Sequence, residues 1–93
     1  MKLRRAAALA LVGWYLMLPP VVSGGGTIYA DRSVPLSKWT IQQIYNAVQN
    51  CEKAKAQAID VAKQEQGEAG AYSQERAYYS ECVSIDDPRL KGD

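Results

Sequence analysis

The chain has 93 residues, 11 basic and 10 acidic side chains, two cysteines and no histidine. This length allows at most one small domain, whose core is marginal without a covalent staple or a partner. The missing histidine removes most triad, general-base and metal-site designs. Lys2, Arg4 and Arg5 hold three of the basic charges, so the part after Gly24 keeps 8 basic and 10 acidic residues, a formal −2. With no basic cluster there, nucleic-acid binding is not expected.

The basic start is followed by an apolar run over residues 6–18 and then by Pro19-Pro20. Two readings follow. The first is a signal peptide cut after Gly24. The second is a retained single-pass transmembrane helix drawn from the 17 uncharged residues 6–22, at the short end of what crosses a bilayer. Under both, the positive start stays inside and the rest lies outside. Residues 1–23 are therefore expected to be a membrane anchor or signal peptide. Trp14, Tyr15 and Met17 are the expected contacts within the membrane.

Residues 24–36 read as a Gly-rich spacer, because three successive glycines resist regular structure. Residues 37–93 are the expected folded domain. Its first element has two readings. A capping box at Thr40-x-x-Gln43 starts a helix at Ile41 and gives an all-helical pair. A box at Asn46-x-x-Gln49 instead leaves Trp39, Ile41, Gln43 and Tyr45 along one face of a short strand and gives a β-α-β-like unit.

The helix over residues 49–66 follows from its Ala, Gln, Glu and Lys content. Val48, Cys51, Ala58 and Ala62, with Ile59 beside them, make a thin apolar stripe that suits close packing on a flat surface. Gly67 and Gly70 are expected to end it. Residues 71–76 read as a turn or a weak helical extension. A strand carrying Cys82 is expected within residues 77–85, closed by a turn at Asp86-Asp87-Pro88. In an oxidising compartment Cys51 and Cys82 pair, closing a loop of about 31 residues and stabilising the domain by roughly 3–4 kcal/mol.

Adjacent Asp86 and Asp87 lack the spacing of a calcium loop and read as a turn. No catalytic, cofactor or metal residues are assigned, and no spacing supports a small-molecule ligand. Trp39, Tyr72 and Tyr78 are candidate partner contacts in the outer domain, since Trp and Tyr gather at interface centres.

The motifs Gly13-Trp14-Tyr15-Leu16-Met17 with Pro19-Pro20, Pro35-Leu36-Ser37-Lys38-Trp39, Cys51-Glu52, and Cys82 followed by Asp86-Asp87-Pro88-Arg89-Leu90 occur here in this order. In this the chain resembles a group of short bacterial envelope proteins. The resemblance implies a strand bearing the Trp, a helix starting near the first Cys and a closing strand at the second. It thus points to the later helix start. Ile44-Tyr45 stands where such proteins often carry Phe, which keeps an apolar anchor.

The expected fold is a small α+β domain with one main helix and one disulfide, behind a single N-terminal hydrophobic helix. The expected function is a non-catalytic accessory or structural subunit of a bacterial inner-membrane complex. Its domain would lie in the periplasm and stabilise that face among larger membrane-protein subunits. The alternative is a soluble periplasmic or secreted interaction protein, released by cleavage.

Overall fold

A computed structural model describes residues 13–91. They form five strands and two helices: β1 (Trp14–Leu18), β2 (Val21–Gly24), β3 (Thr27–Ala30), β4 (Thr40–Tyr45), α1 (Val48–Lys63), α2 (Gly67–Tyr78) and β5 (Glu81–Ser84). Short 3-10 turns at Leu36–Lys38 and Pro88–Leu90 flank the core.

The main sheet runs β4-β1-β5, with both outer strands antiparallel to β1. β4 and β5 are thus parallel to each other and joined through the helices, with β1 inserted between them. This is a split β-α-β unit. It supports the small α+β expectation and the later helix start, but Gly67–Tyr78 is a second full helix, so the expectation of one main helix is corrected. The N-cap of α1 is Ala47, however, and no side chain caps it, so the box at Asn46 does not form.

The N-terminal expectation is corrected where residues are described. No hydrophobic helix runs through residues 14–22: β1 is the middle strand of the sheet, and Leu16 and Met17 are each only 1% exposed. A strand covered on both faces reads as an unbroken apolar run, which is why it imitates a membrane segment. Residues 1–12 of that expected segment lie outside the described residues. Among the described residues no helix is long and apolar enough to cross a membrane.

The spacer is also corrected. Residues 21–30 form a β-hairpin with Val21 opposite Ala30 and Gly24 opposite Thr27. Gly25 (φ 60°) and Gly26 (φ 83°) occupy its two central turn positions. Positive φ at both matches a type I′ turn, whose twist suits a tight hairpin. The glycines here specify a conformation.

Two faces of the main sheet are packed differently. Met17, Leu36, Trp39 and Val83 form the large apolar cluster, with Tyr15, Val34 and Leu90 against it. The Trp39 Nε1–H donates to Val34 O at 2.9 Å, so the indole is buried with its polar atom satisfied. On the other face lies α1, anchored by the Cys51–Cys82 disulfide (Cα–Cα 6.0 Å). α1 then packs on α2 through small groups, with Ala62, Gly70 and Ala77 all buried. Gly67 (φ 73°) opens α2, and Gly70 lies inside it, so neither serves as the final stop of a single longer helix. The expected strand over 77–85 shortens to 81–84, because α2 continues to Tyr78.

α2 also carries the hairpin. The Glu75 carboxylate accepts a 2.8 Å hydrogen bond from the Ala30 amide, while Asp31 N donates to Pro20 O at 2.8 Å.

Candidate functional site

The register of β4 against β1 contains one irregularity. Leu16 faces Gln43 and Met17 faces Ile41, so Gln42 is an extra residue on β4. A bulge of this kind changes the side-chain parity of a strand. Ile41 and Ile44 share the sheet face of Met17 and Tyr15, while Gln43 and Tyr45 share the opposite face with Leu16 and Trp14. The expected single face of Trp39, Ile41, Gln43 and Tyr45 is therefore split in two.

β4 is an edge strand. From Trp39 to Asn50 the chain has no charged residue, and β4 has no proline. Ile41 is 50% exposed and Ile44 is 54% exposed. Edge strands are ordinarily protected by lysine, proline or burial, so a neutral edge showing two isoleucines stands out. Ile44 is positioned by Gly13: a Cβ built there would meet Ile44 Cδ1 at 3.6 Å and Ile85 Cγ2 at 3.4 Å. Ile44 thus has Gly13 close behind it, and both isoleucines are open to solvent.

Around the edge, toward the helices, lies an open groove of about 450 Å3. Leu16, Leu18, Ala58 and Val61 are among its apolar lining, and Gln42, Gln57, Glu65, Ser73 and Arg76 among its polar groups. Val61 is 60% exposed. The small residues of the α1 stripe make this hollow, since alanine leaves space where a larger side chain would fill it.

On the opposite side, the Arg32 guanidinium sits 4.9 Å from the centre of the Tyr79 ring, and Tyr78 meets Tyr79 edge to face. Arg89 forms ion pairs with Asp87 at 3.0 Å and Glu81 at 3.8 Å. Donation from the Arg89 side chain and then its backbone amide holds the Asp87 carboxyl below its ordinary value of 3.8. Any stability from this exposed pair is present above that pH and is lost as pH falls through the lowered value. Glu75 is engaged by the hairpin, and Glu81 and Asp87 share Arg89.

The residues named from sequence fall into three groups. Cys51 and Cys82 are bonded, as expected. Met17 and Trp39 are corrected from contact residues to core, with Trp39 only 8% exposed. Trp14 and Tyr15 are half-buried in the middle strand, so they are positioned by β4 and β5. Tyr78 (62% exposed) and Tyr72 (36% exposed) do face outward from α2. Ile41, Ile44 and Val61 were not singled out as exposed contacts. The signal that finds the first two is the charge-free stretch containing them. Compared with family models, curated proteins and solved structures, the chain matches none.

Proposed function

We propose that this chain is a non-catalytic interaction domain of the oxidising space outside the bacterial inner membrane. It docks a partner along the β4 edge and the adjoining groove. The observation that carries this reading is the uncharged edge strand with Ile41 and Ile44 half exposed on one face. Such an edge offers unpaired backbone donors and acceptors beside apolar side chains, the chemistry of strand addition. The disulfide supports the compartment, because structural disulfides persist where thiols are not kept reduced. The resemblance to short bacterial envelope proteins, itself a proposal, points to the same compartment.

The accessory-subunit form of this reading keeps the same docking face. It requires any membrane anchor to end before Gly13, because β1 is paired on both edges.

A photo-crosslinking residue placed at Ile44 or Val61 in cells tests the reading, with exposed Lys63 as control. Defined adducts at Ile44 and Val61 and none at Lys63 are expected. Equal labelling at all three positions would defeat it. Intact mass of the native protein, in membrane and soluble fractions, separates a membrane-held chain from a free one; a cut after Gly24 would remove β1 and β2 and is not expected in the folded form. A 2 Da rise on reduction reports the disulfide in either.

A further inference from the structure

We infer that the occupant of the β4 edge is the β4 edge of a second copy of this chain, paired antiparallel about a two-fold axis. This rests on the docking reading above and names the partner.

The sequence at the edge is Thr40-Ile41-Gln42-Gln43-Ile44-Tyr45, and its central four residues read the same in both directions. A two-fold contact must be self-complementary, with each pair of residues occurring twice. Centring the axis between Gln42 and Gln43 sets Ile41 against Ile44, Gln42 against Gln43 and Thr40 against Tyr45 of the second copy.

Sheet geometry ordinarily forbids this register. Residues directly opposite in an antiparallel pair lie on the same face, and in a regular strand Ile41 and Ile44 would lie on opposite faces. The extra residue at Gln42 removes the conflict. Ile41 and Ile44 lie together on the face of Met17 and Tyr15, while Thr40 and Tyr45 lie together on the face of Leu18 and Trp14. The pattern of faces is then as palindromic as the sequence. The bulge interrupts the ladder at the axis and in return gathers four isoleucines into one cluster.

Electrostatics agrees. Like charges opposite one another across strands are destabilising, and close to a two-fold axis a charge faces its own kind unless a matched opposite charge is set across from it. Twelve uncharged residues, Trp39 through Asn50, span this contact. A heterologous partner would place no such demand on the edge.

The contact is small. Two half-exposed isoleucines per copy fall well below the roughly 800 Å2 per partner of a standard stable interface. The expected dimer is weak, with a dissociation constant on the order of 10–100 μM.

Sedimentation of the full oxidised chain from about 1 μM to about 1 mM should show a reversible monomer–dimer equilibrium. Two double variants at the exposed glutamines then read the register. Gln42→Lys with Gln43→Lys sets lysine against lysine twice across the axis and should weaken the dimer at least about tenfold, or about 1.4 kcal/mol. Gln42→Glu with Gln43→Lys sets glutamate against lysine twice and should restore wild-type association or exceed it. Circular dichroism and the intact disulfide confirm that each variant is folded. A wild-type chain that stays monomeric to about 1 mM overturns the inference, as does a dimer indifferent to the two lysines or a Glu/Lys variant as weak as the Lys/Lys one. A monomeric wild type that still gives defined Ile44 adducts to another protein in cells would leave the docking reading standing and remove only the second copy.

Discussion

The half built from β1, β4, β5 and α1 and the half built from the β2–β3 hairpin and α2 are held together by different means. The first buries large side chains, Leu16, Met17, Trp39 and Val83, and adds a covalent tie. The second buries Gly70 and Ala77 and relies on close backbone approach and on one carboxylate bridging helix to hairpin. Large buried groups and a disulfide constrain a fold against global unfolding. Small-residue contacts hold an element in place while contributing less apolar area. The second half is therefore expected to loosen first, and the first to set global stability.

The largest test removes the middle of the first half. A chain beginning at Gly25, the form a cut after Gly24 would leave, lacks β1 and also β2, the first strand of the hairpin. β4 and β5 then have no strand between them. Such a chain is expected to show no cooperative transition in urea by circular dichroism. A retained transition would show that neither β1 nor β2 is needed for cooperative folding, which removes the contrast.

Opening the disulfide comes next. Cys51 is fully buried and the bridge closes a separation of 31 residues. Replacing both cysteines with alanine should lower stability by about 3–4 kcal/mol. In urea the midpoint should fall by roughly 2–4 M, for a slope near 1–1.5 kcal/mol/M. A shift under about 0.5 M would show that the apolar cluster alone sets stability.

In the second half, Gly70 tests close approach. A Cβ added there would overlap Glu65 O, a backbone atom in the segment joining the helices. Gly70→Ala cannot be absorbed by rotating a side chain, so α2 must move away from that segment. The expected loss is about 1–3 kcal/mol by urea titration. The amides of α2 should exchange faster while those of β1 change little. Equal acceleration in both would show that the halves unfold as one unit.

The parts that were legible in the sequence and the parts that were not follow the same division. Cys51, Cys82 and α1 were readable because pairing chemistry and helix propensity act locally. β4 was readable only as one of two options, since Thr40 and Asn46 offer competing caps. β1 was misread for a physical reason: a strand covered on both faces has no alternation to display, and Pro19-Pro20 closes it as it would close a signal segment. The hairpin was misread because Gly24-Gly25-Gly26 signals flexibility to composition and a type I′ turn only to register. α2 begins with glycine and buries glycine and alanine, so no apolar stripe announced it. The bulge at Gln42, which decides what the β4 edge presents, arises from pairing with β1 and leaves no mark on β4 itself. The absence of charge on that edge was legible.

The finest test concerns the bridge from α2 to the hairpin. The Ala30 amide donates to the Glu75 carboxylate at 2.8 Å in a partly buried setting. Bonds to a charged acceptor are worth about 1.5–3 kcal/mol and neutral ones nearer 1. Glu75→Gln keeps an oxygen acceptor but loses the charge, so the local loss should be about 1 kcal/mol and Ala30 exchange should quicken by roughly fivefold. Glu75→Ala leaves the amide without that acceptor and should quicken it further. If hydrogen exchange at Ala30 and its pair Val21 responds while Leu16 and Val83 do not, the hairpin opens as a separate unit on α2. If Leu16 responds equally, the hairpin is welded through Pro19-Pro20 to the middle strand. The contrast between the halves would then lie only in how each is packed and not in how each opens.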